Sequence, residues 1–316
     1  NNGKPKFEYQ ILVSKEIYNL LPITNQNIKV SNTKFFDFFN PFKIYYFNKF
    51  DVIFNLFGPN YILSKAINIS GFAQPNILFS NSQNGKFSKF KFLIQKQFFS
   101  LSKFLIVEHN YIKEIIEKEK IFSNKIFVAE NSINNIFLDK TNQKDVDINI
   151  DPKKINIGLL SNYHKHKNLE IVKDLEAKLL NKNLTDFKIH LTLSEKEFQK
   201  LNINSSLIFN VGRITINQCP SFIKKMDYIL CPSNLECFSA TPLESIFIGT
   251  TVICSNKIFY KKTCFDYAIY FDDTEDIINL IIKNEKNNKN DHKEFILENY
   301  NPKNRFLKYL EILDGI

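Results

Sequence analysis

The stretch from Cys231 to Ser255, CPSNLECFSATPLESIFIGTTVICS, limits what this chain can fold into more than any other. Tyr228-Ile229-Leu230-Cys231 is a short β-prone apolar run, and Pro232-Ser233-Asn234 breaks it. The next residues predict a helix with Thr241 as its cap, Pro242 at the first helical position and Glu244 three residues past the cap. Gly249 ends that helix, and Val252-Ile253-Cys254 resumes β character. Strand, loop, helix and strand form the repeating unit of a parallel α/β sheet. Ligands in such sheets bind outside the carboxyl ends of the strands. Glu236 in the loop and Glu244 in the first helical turn therefore stand where a substrate would lie. Local chemistry leaves a plainer alternative open, with Glu244 the acid of a capping box and Glu236 a solvated loop residue.

A chain of 316 residues, 44% of them hydrophobic, can bury a proper core in one large domain or two ordinary ones. The five cysteines (Cys219, Cys231, Cys237, Cys254, Cys264) are odd in number, contain no C-x-x-C pair and argue against zinc and disulfide frameworks. The net charge of +9 is carried almost wholly by lysine, since Arg213 and Arg305 are the only arginines. That charge suits a phosphate-bearing substrate, an anionic membrane surface or nucleic acid. Readers of nucleic acid lean on arginine, and no lysine cluster here accompanies a reading motif, so nucleic acid ranks last. No apolar run reaches the length of a membrane span.

PSNLECFSATPLESIFIGTTVICSN resembles the nucleotide-sugar signature of family 4 glycosyltransferases of the GT-B fold, roughly PS-x-x-E-x-F-G-x-x-x-x-E-A followed by G-x-P-V-I-x-S. Pro232, Ser233, Glu236, Phe238, Glu244, Gly249, Val252, Ile253 and Ser255 match, with the family's seven residues between the two glutamates. Ser239 stands for Gly, Ser245 for Ala and Thr251 for Pro. The resemblance implies that Glu236 contacts the donor sugar and Glu244 the ribose hydroxyls. The resemblance likewise implies that Phe238, Ser239, Ala240 and Thr241 are donor-binding positions, with the backbone N–H at Ser239 facing the donor phosphates.

The first half reads as β-α-β alternation: a strand from Tyr9 to Val13, a strand from Val52 into Gly58-Pro59, and Ile67 to Phe72 ending near Gln74. Phe104 to Glu108 and Lys125 to Val128 are further strands around a helix from Asn110. FDVIFNLFGP and GFAQP resemble bacterial polysaccharide glycosyltransferases of the same family, and Gln74 is the acceptor-side candidate, with an ordinary loop polar residue as the alternative. The family's opening strand, Gly-rich loop and long helix are not found, so the chain is expected to begin inside the first domain. Lys86 to Leu105 interleaves lysine with phenylalanine, either as a basic amphipathic helix on an anionic membrane or as a surface helix of drifted composition.

Asp139 to Lys154 is charged and lacks a periodic apolar face, which reads as a linker. The expected division is an acceptor-side domain over 1–145 and a donor-binding domain over 146–316, with the terminal helical stretch from Pro302 crossing back to the first. Ile155 to Leu160 opens the second sheet, and Ser161 to Asn168 leads into a helix with Leu169, Val172, Leu175 and Leu179 at helical spacing. A strand, a polar loop and a helix start make an anion site. KHKNL resembles the family's Lys-Gly/Asn helix start, which gives Lys167 the donor phosphates. Ser161 stands where the family has Arg, so Lys165, His164 or Arg213 would have to supply the second charge. Ile214, in the Gly212-Arg213-Ile214 corner, falls on the nucleotide base in the same comparison.

The fold class expected is thus α/β, GT-B, with two Rossmann-like doubly wound parallel-sheet domains and a cleft between them. The resemblance implies a retaining glycosyltransferase of surface polysaccharide synthesis, with Glu236, Lys167 and Arg213 as catalytic residues and no metal or other cofactor. Its partners would be a nucleotide sugar and a glycan or lipid-linked acceptor. It would sit in the cytoplasm, with peripheral contact at the inner face of the membrane as an option. A nucleotide-sugar epimerase of GT-B architecture and an inactive nucleotide-binding remnant are the alternatives.

Overall fold

The structure is a computed structural model, and it describes residues 8–18, 27–30, 39–79, 86–287 and 290–316. Three parallel sheets organise them. A small pair joins β1 (Ile11–Val13) to β2 (Ile28–Val30). A four-stranded sheet holds β3 (Val52–Asn55), β4 (Ile67–Phe72), β5 (Phe104–Val107) and β6 (Lys125–Val128) in that spatial order. A six-stranded sheet is built from β7 (Ile155–Leu159), β8 (Phe187–Leu191), β9 (Ile208–Asn210), β10 (Tyr228–Cys231), β11 (Thr251–Ser255) and β12 (Ile269–Phe271). Its spatial order is β12-β11-β10-β7-β8-β9. This is the doubly wound order, and it reverses direction between β7 and β10.

Every neighbouring pair in both larger sheets is parallel, so each strand must return by a crossover, and the helical stretches between them provide it. Side-chain alternation splits the core accordingly. Ile229 and Cys231 of β10 face one apolar cluster with Leu243, while Tyr228 and Leu230 face another with Leu175 and Ile277. In the four-stranded sheet, Leu105 and Val107 enter the same cluster as Ile229, which therefore continues across both larger sheets. Ile106 turns the other way, to Ile69, Ala129 and Ile312 of the last helix, Pro302–Asp314. That helix lies on the four-stranded sheet, with Tyr309 5.4 Å from Phe54 between ring centroids.

Two local expectations change. The strand expected from Tyr9 begins at Ile11. The segment 139–154 is irregular apart from a 3-10 turn, Lys140–Asn142, but it is not a free tether. Val146 is 2% exposed, and Lys225 holds Asp145 at 2.9 Å and the Val146 carbonyl at 2.6 Å. Ile148 and Ile150 pack against the same core cluster as Val146, so three alternate apolar side chains anchor an otherwise polar segment.

Candidate functional site

The topological reversal places the carboxyl ends of β7 and β10 side by side, and the signature loop follows β10. Pro232 and Ser233 are buried, and Ser255 of β11 donates its hydroxyl to the Ser233 carbonyl at 2.6 Å. The loop following β7 reaches across to it: Asn234 N–H donates to the His166 carbonyl at 2.7 Å. Lys167 extends from this second loop, and its Nζ lies 2.5 Å from Oε1 of Glu236. The two side chains are 25% and 9% exposed. An ammonium and a carboxylate, both largely withdrawn from water, thus meet at the crevice that the strand order opens.

The helix after the loop differs from expectation, and the difference changes what Glu244 does. It runs Ala240–Ile248 with Ser239 at the cap, so Thr241 lies inside it and Glu244 is a turn further on. No side chain caps its start, which removes the capping-box reading. The Glu244 carboxylate is buried, 7% exposed, and accepts the backbone N–H of Asn134 at 3.2 Å. Desolvation pushes its pKa to about 7. Gly249 ends the helix at φ +94°, a backbone that side chains with a Cβ resist.

The approach to Lys167 also departs from a simple helix start. Lys165–Lys167 form a 3-10 turn, Asn168 adopts the left-handed region at φ 53°, and the helix proper spans Ile171–Asn181. His164 and His166 stack within that turn, ring centroids 5.5 Å apart and 6° from parallel. Burial lowers the His166 pKa, opposed by the nearby Glu236.

The remaining candidates lie at separate places. Ser239 and Ala240 are half-buried at the helix start, with Thr241 behind them. Ser161 follows β7, its N–H 3.4 Å from Thr192 Oγ1, and Lys165 is exposed beside Lys167. Arg213 is 59% exposed and rests on Glu197, Nη2 to Oε1 at 3.0 Å. Glu197 also accepts from the Ser194 hydroxyl and from Tyr163 N–H in the loop after β7, and the Ser194 bond, followed by that of Arg213, lowers its pKa to about 2. Arg213 would have to leave this partner to meet a phosphate. Ile214 packs at the edge of the larger core cluster. Phe238 is buried with its ring 5.9 Å from Tyr300, which makes it core rather than a lining residue. Gln74 is half-buried where β4 ends, at the start of the short helix Pro75–Leu78.

The structure adds a first-domain set that the sequence reading did not single out. Tyr111 donates its hydroxyl to the carbonyls of Glu236 and Cys237. Arg305 of the last helix pairs with Glu108 at 3.4 Å and donates to Asn131, and Asn131 in turn donates to Glu108 at 2.6 Å. Burial raises the Glu108 pKa to about 7 despite Arg305, with the negative Glu236 adding to the rise. Burial likewise raises Glu130 to about 7 and lowers His109 to about 4. Asn131, with Ile133, matches the P-N-G-hydrophobic-D stretch of the family the sequence resembles; the others lack a local motif, and the placement of Glu108-His109 and Glu130 just past strand ends is the one signal that would have found them. Among the described residues, no group of three His, Cys, Asp or Glu side chains is placed to hold a metal ion. No helix of the described residues is long and apolar enough to cross a membrane.

No protein-family model matches the sequence, and no curated protein matches it either. Solved structures do match. Sucrose-phosphate synthase from Thermosynechococcus elongatus superposes with a TM-score of 0.66 at 12% identity, over 92% of this chain and 81% of that one. OtsA in its apo form gives 0.56 at 9% identity, over 78% of this chain and 68% of that one. The pneumococcal O-GlcNAc transferase GtfA, solved with UDP and GlcNAc, gives 0.54 at 14% identity, over 78% and 52%. The fold is that of the GT-B glycosyltransferases: α/β, with two Rossmann-like parallel-sheet halves.

Proposed function

We propose that this chain is a glycosyltransferase that takes its sugar from a nucleotide diphosphate sugar bound at the carboxyl ends of β7 and β10. The observation that carries the reading is the Lys167–Glu236 pair at the switch point of a doubly wound sheet. In that reading the Lys167 ammonium leaves Glu236 for the donor diphosphate. Glu236 is then free to accept hydrogen bonds from sugar hydroxyls, and Glu244 from the ribose. As the glycosidic bond to the diphosphate breaks, negative charge grows on the leaving phosphate. Lys167, the N–H groups from Ser239 to Thr241 and a displaced Arg213 meet that charge, which is where fixed positive groups lower the barrier most. Because these side chains supply the charge, the proposed transfer requires no metal, and by the resemblance it retains anomeric configuration. The acceptor, a glycan or lipid-linked saccharide of surface polysaccharide synthesis, would rest against the first domain near Gln74, with the Lys86–Ser100 helix as the face offered to an anionic membrane.

Glu108 and Glu130, both raised to about 7, favour a second reading as a nucleotide-sugar epimerase, since carboxyls poised near neutrality suit proton transfer. One experiment separates the two. The protein is incubated with UDP- and GDP-sugars and candidate acceptors, and free nucleotide and sugar identity are followed. Nucleotide release with a lengthened acceptor supports transfer. A changed sugar still attached to nucleotide supports the epimerase, and neither outcome, with binding retained, would leave an inactive nucleotide-binding protein.

A further inference from the structure

Tyr111 is the second residue of the helix Asn110–Lys118, which follows β5 in the first half of the chain. Its ring is 3% exposed and packs beside His109, centroids 4.9 Å apart. Its hydroxyl crosses to the second half. There it lies 2.6 Å from the Cys237 carbonyl and 3.0 Å from the Glu236 carbonyl. One phenolic proton is thereby shared by two successive carbonyls. Burial pushes the Tyr111 phenol well above its ordinary range, so it remains a donor through neutral pH.

That geometry constrains the loop. In an extended chain successive carbonyls point to opposite sides, whereas these two converge on one oxygen. The hydroxyl therefore holds a bend at Cys237, next to the residue whose carboxylate meets Lys167. Of the other anchors of the site, Ser255 holds Ser233 and the His166 carbonyl holds Asn234 from within the second half, while Glu244 on the Ala240–Ile248 helix accepts the Asn134 N–H from the first. The carbonyls at 236 and 237 are likewise held from the first half.

We propose that Tyr111 is a positioning residue: from the first domain it sets the bend that aims Glu236, so that recognition of the sugar depends on this one hydroxyl. The inference rests on the nucleotide-sugar reading and extends it by giving the sugar contact a positioning residue of its own, Tyr111, separate from the Asn134 contact on Glu244.

The test is Tyr111→Phe, which keeps the ring and deletes the hydroxyl. Wild type and variant are titrated by calorimetry with UDP, GDP and their sugar conjugates, and initial rates are measured with the donor that binds. If wild type binds none of them, the nucleotide-sugar reading itself fails. If it binds, the variant is expected to hold the free nucleotide with unchanged affinity and the nucleotide sugar about tenfold more weakly. Equal loss for both ligands, as a merely structural role would give, or no loss for either, overturns the proposal. Hydrogen exchange on the wild type provides an independent reading, should the variant not fold. Nucleotide sugar, but not nucleotide, is expected to slow exchange in 234–238 together with 110–118. Protection of the first segment without the second would overturn the coupling.

Discussion

Lys167 and Glu236 come from loops after different strands, and their side chains meet at 2.5 Å in the crevice where the six-stranded sheet reverses its order. Replacing Lys167 by Met keeps length and removes the charge. Glu236 is then left largely buried without its cation, which costs about 2 kcal/mol of stability. Nucleotide affinity should fall and transfer should slow by about a hundredfold or more, since one fixed donor to the leaving phosphate is gone. Glu236→Gln should behave differently, keeping nucleotide affinity while transfer falls. Calorimetry with UDP and GDP alongside nucleotide-release assays checks both.

Glu244 predicts a particular pH dependence. Its folded pKa, raised to about 7 by burial, lies above the ordinary carboxylate value of 4.5. Below pH 4.5 both folded and unfolded forms carry the proton and the group contributes nothing. Between 4.5 and 7 the folded state holds more protons, so stability falls as pH rises, and above 7 the cost is complete. Relative to Glu244→Gln, which keeps an acceptor for Asn134, wild type should lose on the order of 3 kcal/mol across that window. His109, lowered to about 4, runs the other way, its contribution being lost as pH falls from 6.5 towards 4. Urea melts of the two proteins at several pH values isolate the Glu244 part.

Arg305 ties the last helix to the first domain through Glu108 and Asn131, with its side chain 17% exposed and that of Glu108 12%. Arg305→Ala should cost about 3 kcal/mol, shared between the lost hydrogen bonds to Glu108 and Asn131 and the protonation of a carboxyl whose pKa already stands at about 7. Adding Glu108→Gln should restore part of the loss, so the double variant is more stable than the sum of the single ones implies. Denaturation midpoints of the four proteins measure the coupling.

Two glycines should answer differently to alanine. At Gly71 in β4 an added Cβ would come within 1.9 Å of the Leu56 carbonyl oxygen, so backbone must move, and a loss of about 3 kcal/mol or failure to fold is expected. At Gly212 a Cβ would meet nothing within 4 Å, but φ is +85°. There the cost is conformational, about 1 to 2 kcal/mol. Thermal melts distinguish steric from conformational loss.

Much of this protein was legible before any coordinates. Alternation of apolar runs with helical spacing gave the parallel α/β class, because buried parallel strands and their crossover helices each impose a local period. The signature around Glu236 and Glu244 pointed to the loop after β10, and KHKN to the turn holding Lys167. Local rules failed at the helix start. Thr241-Pro242 obeys the capping pattern, yet the helix begins at Ala240, and the Glu244 carboxylate serves Asn134 instead of its own first turn. Tertiary burial outweighed a local hydrogen bond.

The sequence by itself determined the strands, the crossovers and the residue types available for binding a sugar diphosphate, since these follow from short-range periodicity and side-chain chemistry. Only the tertiary structure decided that Lys167 meets Glu236, that Arg213 is engaged by Glu197, and that Tyr111 grips the signature loop from the other domain. Those contacts join residues far apart in the chain. They depend on strand order and on how the two sheets share a core, neither of which leaves a trace in local sequence.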